Sequence, residues 1–113
     1  MRTELAGAQF TIQAQMELTD YNDYEQIVGV VYNSNTDAIA ATFVKVASED
    51  YPGAELIRQT DIDTKVLDFF FRKEITDTML GAYKIEIKRV VGGVDMPIMK
   101  MDEDFLTIKR SKT

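Results

Sequence analysis

The chain has 113 residues, neither cysteine nor histidine, and a formal net charge of −6 from 19 acidic and 13 basic side chains. This length predicts one domain, residues 1–113, that can hold a hydrophobic core without cross-links. The missing residue types exclude disulfides, thiolate nucleophiles and histidine-dependent catalysis, so we expect no enzyme and no cofactor. The acidic charge disfavours nucleic acid as a partner, and no apolar stretch has the length of a membrane helix.

The first half of the chain predicts strands separated by polar turns. Apolar and polar residues alternate from 10 to 18, which indicates a half-buried strand. The apolar run 27–32 contains Gly29 and predicts a central strand that is buried on both faces. A third strand follows at 39–46. The loop at 51–53 then precedes a short edge strand that Leu56 and Ile57 could form.

The second half predicts more strands and one ambiguous turn. Residues 66–71 are strongly apolar, and 73–80 could contain one helical turn with Thr76 or Asp77 as a cap. Alternation at 83–88, two glycines at 92–93 and a second apolar run at 94–98 indicate an antiparallel hairpin. A last strand at 105–108 precedes a basic tail. About seven short strands predict an all-β, immunoglobulin-like antiparallel β-sandwich.

The start of the predicted hairpin has the form of a tyrosine corner. Gly81 would supply a backbone conformation that a Cβ disfavours, and the Tyr83 hydroxyl would bond back to the preceding loop. The alternative is a simple turn followed by a tyrosine of the core. Both interpretations give Gly81 and Tyr83 a structural role.

Two groups of residues are candidates for contact with other chains. Methionine surfaces adapt to partners, and three methionines follow each other beside Pro97, which favours an edge strand: Met96, Met99 and Met101. A bulge that turns these side chains inward is the alternative. Exposed loop tyrosines can stack on sugars or anchor an interface, or they can pack over the end of the sandwich: Tyr21, Tyr24 and Tyr51.

Charged clusters have a simple interpretation. Asp61 with Asp63, and the acidic run 102–104, lack the spacing of a calcium loop and are interpreted as solvated turns, so we expect no metal. Lys84, Lys88 and Arg89 are interpreted as a solvated strand face.

The order of these features resembles one known family. An alternating first strand leads to the 24–32 strand, the Tyr51-Pro52-Gly53 loop and the Val66–Phe71 strand. The acidic, threonine-containing turn 74–78 and the segment Leu80-Gly81-Ala82-Tyr83 follow. This pattern resembles the N-terminal immunoglobulin-like domain of phage baseplate upper proteins and related phage tail proteins, and its most specific part is residues 66–91.

The resemblance implies a non-catalytic virion structural part that is assembled in the bacterial cytoplasm. Its partners would be copies of itself and other phage tail proteins. The alternative is an immunoglobulin-like module of a bacterial surface protein that binds carbohydrate or protein, with the loop tyrosines as a stacking platform.

Overall fold

The structure is a computed structural model that describes residues 2–15, 25–58, 66–91, 94–100 and 104–110, with backbone alone at 15, 91 and 94–100. The described part consists of nine strands and one short helix. In chain order they are β1 (Arg2–Leu5), β2 (Phe10–Gln15), β3 (Gln26–Asn33), β4 (Ile39–Val44), β5 (Glu55–Leu56), β6 (Val66–Phe71), α1 (Lys73–Thr76), β7 (Gly81–Val91), β8 (Val94–Lys100) and β9 (Leu106–Lys109).

The strands form two sheets that enclose one core. The large sheet has the order β1-β9-β7-β3-β4-β5, with β8 also paired to β7, and the small sheet consists of β2 and β6. The second and sixth strands thus face a sheet that contains the third, seventh and last strands. The predicted all-β sandwich is confirmed. Two pairings are parallel, however: β1 with β9 and β4 with β5.

β8 and β9 lie one after the other along the same side of β7, and both pair with it antiparallel. Glu86 pairs with Lys100, and Tyr83 pairs with Leu106. Between these two pairs β7 advances by three positions and the segment that pairs with it by six, so β8 and β9 are separate strands. The pairing of β7 with β8 also shifts between Ile87 and Lys88 of β7. Ile98 of β8 is the extra residue of this bulge.

Aromatic rings from both sheets interlock in the core. Phe43 of the large sheet meets Phe69 edge-on at 5.2 Å between ring centroids, and Phe71 at 5.1 Å. Phe71 also stacks on Phe10 at 5.0 Å. The predicted burial of Tyr83, with Ile85, Phe69 and Phe71, is confirmed. Aromatic pairs of this kind add stabilisation beyond the area that they bury.

Gly29 leaves the space that one of these rings occupies. It lies on the central strand β3, and a Cβ at this position would be 2.9 Å from Cε1 of Phe69. Real Cβ atoms essentially never come so close to another heavy atom, and the fully buried Phe69 ring could move aside only by displacing its neighbours in the core. Gly29 is therefore required for the contact between the sheets.

Two arginines connect the sheets at opposite sides of the sandwich. At the β1 edge, Arg2 donates from Nη1 to the Thr11 carbonyl of β2 at 2.6 Å, and its guanidinium lies 5.1 Å from the Phe10 ring centroid. At the β5 edge, Arg72 follows β6 and donates to the Glu55 carboxylate. This hydrogen bond to Glu55 raises the pKa of the Arg72 guanidinium. Arg2 and Arg72 thus attach the edge strands β1 and β5 to the small sheet.

Several boundaries differ from the sequence prediction. The sequence does not predict β1, because its mostly exposed residues Arg2–Leu5 show no apolar alternation. α1 is the predicted single turn, but its N-terminal cap is Arg72 and Asp77 is its C-terminal cap. Thr76 is fully buried inside the turn, where its hydroxyl donates to the Ala8 carbonyl at 2.7 Å.

Gly29→Ala is expected to lower the free energy of unfolding by about 1–3 kcal/mol, because the added methyl group overpacks the core against Phe69. Urea melts of Gly29→Ala, Phe69→Leu and the double variant test the cause. The smaller leucine side chain in the double variant should accommodate the methyl group, so this variant should lose less stability than the sum of the single losses. Strict additivity would contradict the contact.

Candidate protein-contact face

The predicted contact residues are distributed over several parts of the chain. Met96 and Met99 lie on β8, opposite Arg89 and Ile87. In the described part β8 pairs with β7 alone, which agrees with the edge position that Pro97 predicts. The methionine side chains of β8 lie outside what the structure describes, and Met101, Tyr21 and Tyr24 lie outside the described residues. A shared methionine surface stays a prediction.

The turn before β7 has the geometry that a tyrosine corner requires. Gly81 has a φ of +97°, a conformation that residues with a Cβ rarely adopt. The Tyr83 hydroxyl accepts a hydrogen bond from the Leu80 N–H at 2.7 Å and donates one to the Leu80 carbonyl at 3.2 Å. Tyr83 is only 4 % exposed. If the turn opened, its hydroxyl would lose the Leu80 partners and would have little contact with water to replace them.

The large sheet has one side that packs on the small sheet and one side that faces away from it. The side that faces away is here called the outer face. Side chains alternate along a strand, so the neighbours of the core residues Tyr83, Ile85 and Ile87 point outward. Strand register extends this assignment across the sheet. The outer face then consists of Thr3, Leu5, Gln26, Val28, Val30, Tyr32, Ile39, Thr42, Val44, Leu56, Ala82, Lys84, Glu86, Lys88, Val90, Thr107 and Lys109.

Exposed apolar side chains are concentrated on the outer face. The described chain exposes five large hydrophobic side chains, and three of them belong to this face: Leu5, Ile39 and Leu56, at 51 %, 66 % and 54 % exposure. Ile39 pairs with Tyr32, which pairs in turn with Lys84, so these three side chains form one row across the sheet. Leu5 and Leu56 lie on the opposite end strands β1 and β5. Ile39, beside the half-buried Tyr32, is therefore the exposed apolar side chain in the middle of the face that could contact another surface.

One end of the outer face is covered by the chain itself. Val28 and Val44 pair with each other on this side and are fully buried, although neither belongs to the core between the sheets. Lys88 lies beside Val28, and its Nζ is 5.8 Å from the ring centroid of Tyr51. Tyr51 therefore lies over the sheet in the loop after β4. Its role is at least partly structural, as the alternative interpretation of the loop tyrosines expects.

Asp68 is a buried charged residue that sequence reasoning missed. It belongs to the side of β6 opposite the core, yet it is only 2 % exposed. Its backbone pairs with that of Arg58, but Oδ1 of the carboxylate has no hydrogen-bond partner in the described part of the chain. A strand pattern assigns a residue to a face, and it carries no signal for whether other parts of the chain cover that face.

Neither a metal site nor a membrane-spanning helix is found among the described residues. No group of three or more acidic side chains in the described ranges could hold a metal ion. No helix in the same ranges is long and apolar enough to cross a membrane. Comparison with protein-family models, curated proteins and solved structures finds no match to this chain. The outer face is therefore the candidate functional site that the geometry supports.

Tyr83→Phe is expected to lower the free energy of unfolding by about 1–3 kcal/mol, because the Leu80 N–H and carbonyl lose their part-buried hydrogen bonds to the hydroxyl. Tyr32→Phe is the matched control: Tyr32 is half-buried on the outer face and makes no hydrogen bond through its hydroxyl within the described part. A Tyr83→Phe loss below about 0.3 kcal/mol in urea melts would rule out a stabilising corner.

Asp68→Leu is expected to leave the free energy of unfolding unchanged or to raise it by up to about 2 kcal/mol, because it removes a buried carboxylate oxygen that lacks a partner. Asp104→Leu is the control, since Asp104 accepts a hydrogen bond from the Ser34 hydroxyl and its loss should cost about 1 kcal/mol. Thermal or urea melts at neutral pH compare the two. A larger loss at Asp68 than at Asp104 would contradict the expectation.

Proposed function

We propose that this domain is a non-catalytic structural and interaction module of a phage or prophage tail, in the region of the baseplate. Its partners are other copies of itself and other tail proteins, and it is assembled in the cytoplasm of the bacterial host into the virion. The observation that carries the proposal is the organisation of residues 66–91, the most specific part of the resemblance to baseplate upper proteins.

That segment forms one continuous strand–turn–strand unit. β6 runs into α1, and the Gly81–Tyr83 turn then begins β7. The resemblance assigns the acidic turn 74–78 and the Gly-x-Tyr motif to the corresponding places between two strands of a sandwich. The order of elements in this unit therefore supports the proposal.

The distribution of surface properties also favours contact with protein over chemistry. Leu5, Ile39 and Leu56 are about half exposed or more on one sheet face, which carries three of the five large hydrophobic side chains that the described chain exposes. A part that is built into a larger assembly would bury this face against its neighbours.

The second candidate function is a carbohydrate- or protein-binding adhesion module of a bacterial surface protein. The half-buried Tyr32 on the outer face and Tyr51 in its loop give it some support, because tyrosine rings can stack on sugars. The contact of Lys88 with the Tyr51 ring gives that ring a partner within the domain, and so favours the assembly role.

The test is the presence of the chain in phage particles. Prophages are induced in the bacterium that encodes the chain, particles are purified by density gradient, and the chain is sought by mass spectrometry and immunoblot. We expect a constant ratio of this chain to the major tail proteins across the particle peak.

A matched control is a culture in which the gene carries an early stop codon. Particles from this culture should lack complete tails in electron micrographs. Complete, infectious particles that lack the chain would overturn the proposal, and detection at the cell surface with binding to glycans would favour the adhesion module.

A further inference from the structure

We propose that the outer face of the large sheet is a self-contact surface, on which a second copy of this chain packs across a two-fold axis close to Ile85 of β7. This inference deepens the proposed function, on which it rests only for the role of the contact in a virion. The occupant follows from the pattern of charges and apolar groups on the described strands.

The centre of the face presents opposite charges two residues apart. Lys84 and Glu86 both point outward from β7, and both are half-buried. Neither forms a hydrogen bond or an ion pair with another side chain in the described part. Two residues of a strand span about 6.6 Å, so the two charges lie within reach of the same opposing surface.

This arrangement is complementary to itself. A two-fold axis makes residue i of one copy contact residue j of the other, and residue j contact residue i. With β7 antiparallel to its equivalent, Lys84 would face Glu86 of the second copy, and the same pair would form again on the other side of the axis. The two charges that lack partners within the described chain would thus satisfy each other.

Apolar groups flank this pair on the neighbouring strands. Tyr32 pairs with Lys84 and Val30 pairs with Glu86, while Ile39 lies beyond Tyr32 with 66 % of its surface exposed. Packing of two such sheets would remove these side chains from water, and the burial of apolar surface is the main attraction between protein surfaces. The exposed apolar residues supply this attraction, and the charges select the orientation.

Carboxylates are few on the outer face, although the whole chain is acidic. The chain carries −6, so two copies repel each other wherever carboxylates dominate. The described side chains of the outer face include one carboxylate, Glu86, against the lysines at 84, 88 and 109. Repulsion between acidic groups is therefore small here, and the lysines of the two copies avoid repulsion only where each one faces a carboxylate or an uncharged group, as Lys84 does in the proposed geometry.

Charge reversal tests the geometry directly. Lys84→Glu would place carboxylates opposite each other, and Glu86→Lys would place lysines opposite each other. Each substitution acts twice across the axis, and we expect each to weaken self-association about 10-fold or more. The double variant Lys84→Glu with Glu86→Lys restores both pairs with reversed signs, and it should regain most of the affinity.

The matched controls make the same changes of charge on α1. Lys73→Glu and Glu74→Lys alter exposed residues outside the outer face, and the ion pair of Glu74 with Arg72 is an exposed one at 3.5 Å, which contributes little. Both controls should self-associate as the wild type does. Ile39→Ser should weaken the contact without a change of charge, and circular dichroism should show every variant folded.

Sedimentation equilibrium of the purified chain, at concentrations that reach the high micromolar range, gives a clear decision. A wild-type dimer that is weakened by either single reversal and restored by the double one supports the proposal. A strict monomer overturns it, as does weakening by Met99→Lys without any effect of Lys84→Glu, which would locate the contact on β8. An increase in affinity with Glu86→Lys would overturn the two-fold geometry. Each of these results is independent of whether the chain is found in phage particles.

Discussion

The insertion of Phe69 into the space above Gly29 is the contact on which the sandwich depends. The ring comes from the small sheet, and the glycine lies in the central strand of the large sheet. Phe43 and Phe71 then contribute further aromatic contacts between the sheets, with Phe43 5.2 Å from Phe69 and 5.1 Å from Phe71. Since the small sheet has only two described strands, few other side chains can attach it to the large one. The close approach at Gly29 therefore determines how near the two sheets lie.

The edges of the sandwich are attached by a different kind of interaction. Arg2 reaches from the β1 edge to a backbone carbonyl of β2, and Arg72 reaches from the end of β6 to Glu55 at the β5 edge. The Arg2 contact also occupies a backbone acceptor of β2, which a strand from another molecule would otherwise use. Exposed sheet edges commonly recruit neighbouring strands unless a charge or a bulge prevents it. Arg2 in this way contributes to the attachment of the sheets and protects an edge.

The same alternation that builds the core also builds the outer face. Along β7, Tyr83, Ile85 and Ile87 point inward, so the residues between and after them must point outward. Their neighbours on β3 and β4 follow from the register. Part of this face is already covered by the chain, while the row that contains Ile39 and Tyr32 remains accessible. A surface with one covered end and one exposed apolar row is well suited to hold a further protein layer.

The amino-acid sequence by itself determined most of the strands, the residues of the core and the form of the turn at Gly81 and Tyr83, because each depends on neighbours within a few positions. It also determined the absence of cysteine and histidine chemistry. Only the tertiary structure decided the pairing of β1 with β9, the burial of Asp68 and the location of Ile39 and Tyr32 in one row with a lysine of β7. The alternation of side chains along a strand predicts which of its residues share one face. The neighbouring strand, and the part of the chain that covers it, depend on contacts between residues far apart in the sequence.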